Sequence, residues 1–366
     1  MSRVALQILE KISETADTCS LRLAVPDGLR TAFQYEAGQY LHIGLELEGE
    51  TIERSYSLSS TPAADPYLQI TVKRIDGGRI SPLLVDSVKP GDVLHASQPQ
   101  GRFFKPHADP QHYLLFAAGS GITPIYSILK HVLTGSLSHQ VTLIYGSRTV
   151  EDIIFRAELE DLQRREPQRL RVVHVLSREN GDWSGTKGRI TADLLHRSLG
   201  AWAPAGHLPE IAYMCGPVSF MDGVAEALLA RGLSLDRIRR ESYDVADAAA
   251  LDIMGSPTRV ITAPGEEIEP ATCMELDVVI TGDHFHITPS PHETILAAIV
   301  RAGGDAPFSC QEGTCLSCMC RLEKGAVRMK EPDEGLLDES DMNDGVVLAC
   351  ISLPLTHTIK ISFDNV

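Results

Sequence analysis

The stretch Cys310-Gln-Glu-Gly-Thr-Cys315-Leu-Ser-Cys318, followed after 31 intervening residues by Cys350, decides the fold of the C-terminal third of this 366-residue chain. The spacing C-x4-C-x2-C with a distant fourth cysteine is typical of four thiolates that hold a plant-type [2Fe–2S] cluster. Gly313 lies between the first two cysteines and suits a tight loop whose backbone N–H groups point at the cluster. The sequence therefore predicts a [2Fe–2S] cluster with Cys310, Cys315, Cys318 and Cys350 as its ligands.

Two other metal sites fit this spacing less well. A zinc site usually needs two C-x2–4-C knuckles, and the stretch has one C-x2-C pair with two outlying cysteines. Bacterial two-cluster ferredoxins carry the run C-x2-C-x2-C, which does not match. Cys320 is interpreted as a buried strand thiol, and Cys19 and Cys273 as core or surface thiols.

Upstream of the cysteines, residues 108–243 alternate apolar strands with helical patterns. The predicted strands are Tyr113–Ala117, Val141–Tyr145, Leu170–Leu176 and Ile211–Met214, and the predicted helices are Pro124–Leu133, Glu151–Arg164, Ile190–Leu199 and Val218–Arg231. Such alternation predicts an α/β domain, a parallel sheet with helices on both faces.

The run Gly119-Ser-Gly121-Ile-Thr123-Pro124 follows the first of these strands and opens a helix. Glycines let the backbone approach a pyrophosphate, and the helix N-terminus supplies N–H groups to it. Proline suits the first turn of a helix. The run thus indicates a dinucleotide site, with an ordinary strand–helix turn as the alternative.

Residues 1–107 are rich in short β segments and turns, which favours an antiparallel barrel. The predicted strands are Val4–Ile12, Ser20–Val25, Tyr40–Leu47, Glu53–Ser59 and Leu68–Arg74, with a short helix at Gly78–Val88. Three runs are chemically suggestive: Arg54-Ser-Tyr56-Ser57, Val72-Lys73-Arg74 and Gly77-Gly78-Arg79-Ile80-Ser81. An arginine for phosphate, a tyrosine for an aromatic ring and a glycine-rich helix start fit a dinucleotide; an exposed strand face and a turn are the plain alternative.

A segment rich in Ala, Asp, Gly, Pro and Glu separates these two regions from the last one, and we predict a linker over residues 244–271. The third region, 272–366, opens with a strand–turn–strand pattern, Glu275–Thr281 and His284–Thr288, and a helix, Thr294–Ala302. The prediction is a three-domain chain.

Charge and hydropathy narrow the classes of partner. The net charge is −16, and residues 272–366 carry 15 acidic and 6 basic side chains, so acidity is concentrated in the last region. Electrostatic repulsion therefore disfavours nucleic acid as a partner. The sequence shows neither an apolar run of membrane-spanning length nor an N-terminal secretory pattern. We expect a cytoplasmic protein whose cysteines stay reduced.

Taken in order, Arg54-Ser-Tyr56-Ser57, Gly119–Pro124, Cys215-Gly216-Pro217 and the four cysteines resemble the ferredoxin–NADP reductase superfamily. Within it, the chain resembles the group with a C-terminal ferredoxin, such as the reductases of phenylacetyl-CoA epoxidase and of Rieske oxygenases of the ketosteroid hydroxylase type. The resemblance covers nearly the whole chain. It implies a flavin-binding barrel, a nucleotide-binding α/β domain and an α+β ferredoxin domain of β-grasp type.

The resemblance also implies a role for each matching residue. The flavin would be held by Arg54, Tyr56, Ser57, Val72, Lys73, Gly78 and Ser81. The nicotinamide dinucleotide would be held by Gly119, Gly121, Thr123, Pro124, Ser147, Arg148, Ser177, Arg178, Gly216 and Pro217. Ser57, Cys215 and Tyr243 would lie where flavin and nicotinamide react.

The implied function is an NAD(P)H-dependent reductase that passes electrons through a flavin and the cluster, singly, to a partner oxygenase with a Rieske or di-iron centre. A flavin must stand between the two, because NAD(P)H gives two electrons together and the cluster accepts one. FAD is favoured over FMN by Gly77–Ser81, and NADPH over NADH by Ser177-Arg178. An oxidase-like or sensor flavoprotein, and a binding protein without cofactors, are the alternatives.

Overall fold

The computed structural model describes residues 3–47, 50–75, 77–179, 183–204, 208–241, 258–266, 270–290, 293–304, 306–307, 313, 316–332 and 336–364. The chain divides into two compact units, Met1–Glu241 and Ser242–Val366. We describe each unit separately.

The first unit begins with a six-stranded antiparallel sheet. Its strands are β1 (Val4–Thr15), β2 (Thr18–Ala24), β3 (Tyr40–Leu47), β4 (Glu50–Ser57), β5 (Leu68–Lys73) and β6 (Val93–Ala96). Their order in the sheet is β4-β3-β6-β1-β2-β5. A bridge between Leu58 and Ile70 connects the two edge strands and closes the sheet. The predicted antiparallel barrel is confirmed.

A second sheet of six parallel strands follows. Its strands are β7 (His112–Ala118), β8 (Gln140–Ser147), β9 (Leu170–Leu176), β10 (Thr186–Lys187), β11 (Glu210–Cys215) and β12 (Ile238–Glu241). Their order is β10-β9-β8-β7-β11-β12, and every neighbouring pair is parallel. The central strand β7 is buried along almost its whole length, as expected for a sheet covered on both faces. The predicted parallel α/β domain is confirmed.

The helices of this sheet are α1 (Ile122–Gly135), α2 (Arg156–Arg165), α3 (Ala192–Trp202) and α4 (Val218–Ala230). All four predicted helices are present, but α2 begins five residues later than the prediction of Glu151. Phe155 explains the shift, because its φ of 58° lies in the left-handed region and cannot continue a helix. The helix predicted at Gly78–Val88 is shorter in the structure, over residues 81–87, and its last five residues, Leu83–Ser87, form a π-helical turn.

The second unit is built on a five-stranded mixed sheet. Its strands are β14 (Glu275–Ile280), β15 (Asp283–Ile287), β16 (Met319–Lys324), β18 (Val346–Leu348) and β20 (Thr358–Ser362). The order is β15-β14-β20-β16-β18, with β14 and β20 parallel. Helix α5 (Ile295–Arg301) contributes Ile295, Leu296 and Ile299 to the core of this unit. This is the predicted α+β architecture of β-grasp type.

A three-stranded sheet in the same unit corrects the predicted linker. Its strands are β13 (Thr258–Thr262), β17 (Ala326–Lys330) and β19 (Ser352–Pro354). Strand β13 falls inside the segment 244–271 that we predicted as linker, yet it pairs antiparallel with β17 along its whole length. Composition suggested a linker because Gly, Pro and Asp surround a short run in which only Val260 and Ile261 are strongly apolar. Residues 242–257 lie outside the described part of the chain.

Among the described residues, no helix combines the length and the apolar character needed to cross a bilayer.

Substitution of Gly325 tests how closely the second unit is packed. Gly325 joins β16 to β17 with a φ of +85°, and a Cβ there would lie 2.4 Å from the Thr358 carbonyl oxygen. We expect Gly325→Ala to lower the free energy of unfolding by about 3 kcal/mol, from left-handed strain and overpacking together. Urea unfolding followed by the visible absorption of the iron–sulfur group measures it.

Gly282→Ala is the matched control, because Gly282 has a φ of +84° and nothing within 4 Å of its built Cβ. This substitution should lower the free energy of unfolding by only about 1–2 kcal/mol, from backbone strain alone. Equal losses in the two variants would contradict the packing argument.

Candidate functional site

The strand that carries the predicted flavin residues ends at the centre of the first unit. Arg54 and Tyr56 share one face of β4, since side chains two apart lie on the same side of a strand. Arg54 is exposed and Tyr56 is half-buried, and burial raises the pKa of Tyr56 to about 12. Ser57 points to the opposite face and is buried. The strand therefore offers a cationic and an aromatic side chain on one face and a buried hydroxyl on the other.

The glycine-rich run after β5 forms a compact turn. The Gly78 N–H donates to the Ile75 carbonyl over 2.9 Å, and the Ile75 N–H donates to the Ser81 hydroxyl oxygen over 3.0 Å. The side chains of Val72 and Lys73 are engaged elsewhere: Val72 lies in the barrel core, and the Lys73 ammonium pairs with Asp17 at 2.8 Å. Only the backbone of Val72 and Lys73 remains to fit the predicted flavin contact.

The predicted nucleotide loop lies between β7 and α1. Gly119 has a φ of +56°, and Gly119–Gly121 form a single 3-10 turn before the helix begins. A Cβ on Gly121 would lie 2.1 Å from the Cys215 carbonyl oxygen, so no residue with a side chain fits at position 121. The loop is thus pressed against the end of β11, with its backbone open to a ligand at the helix start. Thr123 and Pro124 lie in the first turn of α1, and both are buried.

The ends of β11 and β12 bring together residues from distant parts of the chain. Cys215 and Glu241 are direct neighbours across the parallel pair, and Cys215 is fully buried. The Ser57 side chain lies close enough to the Glu241 carboxyl group to lower its pKa, but by less than burial raises it. The Glu241 Oε2 atom is buried and has no hydrogen-bond partner among the described residues. Burial raises the pKa of Glu241 to about 8, so this carboxyl group holds a proton at neutral pH.

Glu241 is the site residue that sequence reasoning missed. The sequence predicts Tyr243 here instead, and Tyr243 lies outside the described residues. The available signal was a glutamate closing a strand of the parallel sheet, where open α/β sheets bind their ligands. Of the three residues predicted to lie where the cofactors react, the structure brings Ser57 and Cys215 together around Glu241.

Two arginines follow adjacent strands at the carboxyl edge of the sheet. The Arg148 guanidinium contacts Asp17 of the barrel at 2.8 Å and Asp152 at 2.6 Å, so two carboxylates already neutralise it. Burial would raise the pKa of Asp17, but hydrogen bonds from Lys73 and from neighbouring threonines outweigh that effect and hold it below its usual range.

Arg178 differs from Arg148 in its surroundings. Its backbone N–H donates to the Arg148 carbonyl over 2.8 Å, whereas its side chain is exposed and forms no ion pair with any residue that the structure describes. Ser147 and Ser177 are joined by a backbone bond of 3.0 Å between the strand ends. Of the two arginines that follow these strands, Arg178 is the one whose guanidinium forms no ion pair with a described residue.

In the second unit, strand pairing brings two predicted cluster ligands together. Cys318 immediately precedes β16 and Cys350 follows β18, and these strands are antiparallel neighbours. The Ala349 N–H donates to the Cys318 carbonyl over 3.0 Å, and both cysteines are buried. Cys310 and Cys315 lie outside the described residues.

The backbone around the described ligands fits a cluster loop. Gly313 has a φ of +78°, and a Cβ on it would lie 2.6 Å from Ile351 Cδ1. Gly313 therefore packs closely against the residue that follows the fourth predicted ligand. Leu316 also has a left-handed φ of 60°.

The remaining buried thiols and two of the acidic residues before Cys350 have structural roles. Cys19, Cys273 and Cys320 are buried, and burial raises the pKa of Cys320 above its usual range. Asp338 caps helix α6 (Glu339–Asn343), and Asp338 and Asp341 form a reciprocal capping box. Part of the acidity before Cys350 therefore stabilises a helix start.

Three family models match the chain. They are an oxidoreductase FAD-binding domain over residues 5–104, an oxidoreductase NAD-binding domain over residues 115–226, and a 2Fe-2S iron-sulfur cluster binding domain over residues 278–355. Fold and site thus define an oxidoreductase that binds FAD, a pyridine nucleotide and a [2Fe–2S] cluster.

Full-length relatives identify the family. The ferredoxin reductase component of 3-ketosteroid-9-alpha-monooxygenase from Rhodococcus rhodochrous is 36% identical over 98% of this chain and 97% of its own length. A component of 1,2-phenylacetyl-CoA epoxidase from Escherichia coli is 33% identical, with the same shares covered. The chain belongs to the ferredoxin–NADP reductase superfamily, in the group with a C-terminal [2Fe–2S] ferredoxin domain.

A solved structure supports the same fold. Phthalate dioxygenase reductase, described as modular and as transferring electrons from pyridine nucleotides to [2Fe–2S], superimposes with a TM-score of 0.56 at 21% identity. The match covers 99% of this chain and 98% of that one.

The buried Glu241 carboxyl group makes stability depend on pH. Its pKa of about 8 lies above the ordinary value of 4.5. The neutral form therefore contributes stability that is fully present below about pH 4.5 and is lost as the pH rises toward 8. Glu241→Gln cannot ionise, so its free energy of unfolding should exceed that of wild type by about 4 kcal/mol at pH 8 and be nearly equal at pH 4.5.

Urea titrations of both proteins across this pH range, followed by flavin release, measure the difference. Glu226→Gln, which alters an exposed glutamate on α4, is the control and should track wild type. If the free energies of unfolding of Glu241→Gln and wild type changed with pH in the same way, the burial of a neutral carboxyl group would be contradicted.

Proposed function

We propose that this chain is the reductase component of an oxygenase system. A hydride from NADPH, carrying two electrons and one proton, reduces FAD, and the electrons leave singly through the [2Fe–2S] cluster to a partner oxygenase. The observation that supports this most directly is the order of the three binding domains over a chain that aligns end to end with components of two oxygenase systems. The partner's centre, Rieske or di-iron, is proposed from that similarity alone.

We assign the domains to residues 1–107 for FAD and 108–243 for the pyridine nucleotide. The remainder, with a linker from 244, forms the ferredoxin domain, to which strand β13 belongs because it pairs with β17. A cytoplasmic location is part of the proposal, since cluster ligands and the buried thiols must stay reduced. Fractionation of cells tests the location.

The proposed residue roles are those implied by the family resemblance, and the local geometry supports them. FAD is held by the exposed face of β4 through Arg54 and Tyr56, and by the turn at Gly78 and Ser81. The pyrophosphate of the coenzyme lies on the start of α1, where Gly119, Gly121, Thr123 and Pro124 shape the loop. These are the places at which the backbone N–H groups of a helix start are open to an anion.

The meeting point of Ser57, Cys215 and Glu241 is our candidate for the place where nicotinamide and flavin meet. Gly216 and Pro217 continue from Cys215 and border the same place. Glu241 holds a proton there, and the Ser57 hydroxyl connects it with the strand that carries the flavin residues. Flavin accepts electron pairs and releases single electrons when it is bound; the residues of the chain orient it and supply a proton.

We propose NADPH as the coenzyme on the strength of Arg178. An exposed arginine without an ion pair among the described residues suits a 2′-phosphate, whereas Arg148 is held by Asp17 and Asp152. Ser147 and Ser177 supply short polar side chains at the same edge.

Replacement of Arg178 tests the coenzyme. Arg178→Ala should raise the KM for NADPH roughly 10- to 100-fold, the loss expected for one charged hydrogen-bonding contact. The KM for NADH should change little. Steady-state reduction of a dye with both coenzymes measures the ratio, and Arg171→Ala, at the opposite end of β9, is the control. An unchanged NADPH-to-NADH preference would refute the assignment.

Replacement of Cys350 tests the electron path. Cys350→Ser should remove the visible absorption of the cluster and abolish electron delivery to a one-electron protein acceptor such as cytochrome c. The variant should keep its flavin, and NADPH should still reduce a dye that accepts electrons directly from the flavin. Both should persist because the two units are separately compact. Cys320→Ala, two residues past a ligand and in the core, should retain the cluster. Loss of flavin along with the cluster would count against independent modules.

A further inference from the structure

Helix α1 carries the nucleotide loop at its start and contacts the barrel further along. The Ser127 hydroxyl donates to the Ser60 carbonyl over 2.6 Å. One turn later, the Lys130 ammonium forms an ion pair with the Asp65 carboxylate. Ile128, between them, lies against Gly38, whose built Cβ would be 3.5 Å from Ile128 Cδ1. The helix is therefore held to the barrel at consecutive positions.

The barrel segment that receives these contacts, residues 60–65, is a rigid turn, which we refer to as the docking turn. The Tyr35 hydroxyl donates to Ser60 Oγ over 2.6 Å, and the Gln69 N–H donates to the same oxygen over 2.9 Å. The Thr61 N–H donates to Asp65 Oδ2 over 2.8 Å. Because the barrel fixes both acceptors, α1 meets a preformed surface.

The ion pair is buried. The side chains of Lys130 and Asp65 are 10% and 11% exposed, and the Lys130 ammonium also lies 4.5 Å from the centre of the Tyr126 ring. Burial lowers the pKa of Lys130, and the hydrogen bond to Asp65 opposes that effect. A buried charge is tolerated only with its partner in place, so the pair favours one position of the helix over others.

The contacts lie between the two ligand-binding segments. Ser127 is four residues, about one helical turn, beyond Thr123 of the nucleotide loop. Ser60 is three residues beyond Ser57 at the end of the flavin strand. A displacement of α1 along the docking turn would therefore move the nucleotide loop relative to that strand by a similar distance.

We propose that Lys130, Asp65 and Ser127 are positioning residues that set the distance between the nicotinamide and flavin sites. None of the three is among the residues that we propose hold either cofactor, and this inference rests on the proposed placement of both. Reacting atoms must be held about 3–3.5 Å apart, and a misplacement of about 1 Å can slow a reaction roughly 100-fold. The pair should thus govern the rate of hydride transfer more than the binding of the coenzyme.

Rapid-mixing reduction of the holoprotein by saturating NADPH tests the proposal. Lys130→Met keeps the length of the side chain and removes its charge, and it should lower the limiting rate of flavin reduction at least 10-fold. The Kd for NADP+ from spectral titration should change less than threefold, with full flavin content. Amide hydrogen exchange in residues 58–67 should become faster, a readout that does not depend on activity.

The double variant Lys130→Met/Asp65→Asn supplies the rescue. Asparagine still accepts the Thr61 N–H bond, and the double variant leaves no unpaired charge. Its limiting rate of flavin reduction should therefore be at least threefold higher than that of Lys130→Met. Arg197→Met removes an exposed ion pair of α3, with Asp193 at 2.8 Å, and is the control, which should match wild type.

The outcomes separate the possibilities. A Lys130→Met protein that unfolds more readily but is reduced within twofold of the wild-type rate would overturn the proposal. If Lys130→Met does not fold, Ser127→Ala decides: a rate lowered at least threefold supports the proposal, and an unchanged rate overturns it. If neither NADPH nor NADH reduces wild-type flavin, the proposed function itself fails.

Discussion

The approach of Gly121 to the carbonyl group of Cys215 is the constraint on which the catalytic unit depends. Two backbone segments, the nucleotide loop and the end of β11, meet at a distance that excludes even a methyl group. The contact fixes the start of α1 against the strand next to β12, and thereby against Glu241. Because the Ser57 side chain lies beside the Glu241 carboxyl group, the same contact relates the sheet to strand β4 of the barrel. If the coenzyme binds on the loop and the flavin on β4, as proposed, backbone packing brings the two to one place.

Two ion pairs complement this backbone contact. Lys130 with Asp65, and Arg148 with Asp17, each join the nucleotide-binding domain to the barrel across more than 60 residues of sequence. Lys130 with Asp65 is buried, and removing one partner from a buried pair typically costs about 3–5 kcal/mol, although replacing both by apolar groups is often neutral. Arg148 is partly exposed, so its pair with Asp17 is screened by solvent and contributes less. Such pairs contribute little to net stability but strongly disfavour alternative arrangements. They therefore suit an enzyme in which the distance between two bound cofactors matters more than total stability.

The periodic elements could be predicted from sequence because their pattern is local. The prediction for β9 matches the observed Leu170–Leu176, and α1 begins at Ile122, two residues before its prediction. What could not be predicted depends on long-range pairing or on special backbone angles. The late start of α2 follows from the left-handed Phe155, and the strand β13 is recognisable only through its partner β17. Glu241 became a site residue through the register of β12 and the hydroxyl of a distant serine, neither of which is visible in its neighbours along the chain.

The charge at the coenzyme edge is set by the barrel as well as by the nucleotide-binding sheet. In sequence, Ser147-Arg148 and Ser177-Arg178 look equivalent, each following a parallel strand. Asp17 makes them different, because it reaches from the β1–β2 turn to Arg148 and shares that guanidinium with Asp152. A second unpaired arginine would raise the affinity for any anion, whereas one neutralised and one exposed arginine place a single positive charge at a defined position. Discrimination between two coenzymes that differ by one phosphate needs such a localised charge. Which of the two arginines is neutralised is thus decided by the barrel, since Asp17 lies 131 residues from Arg148 in the chain.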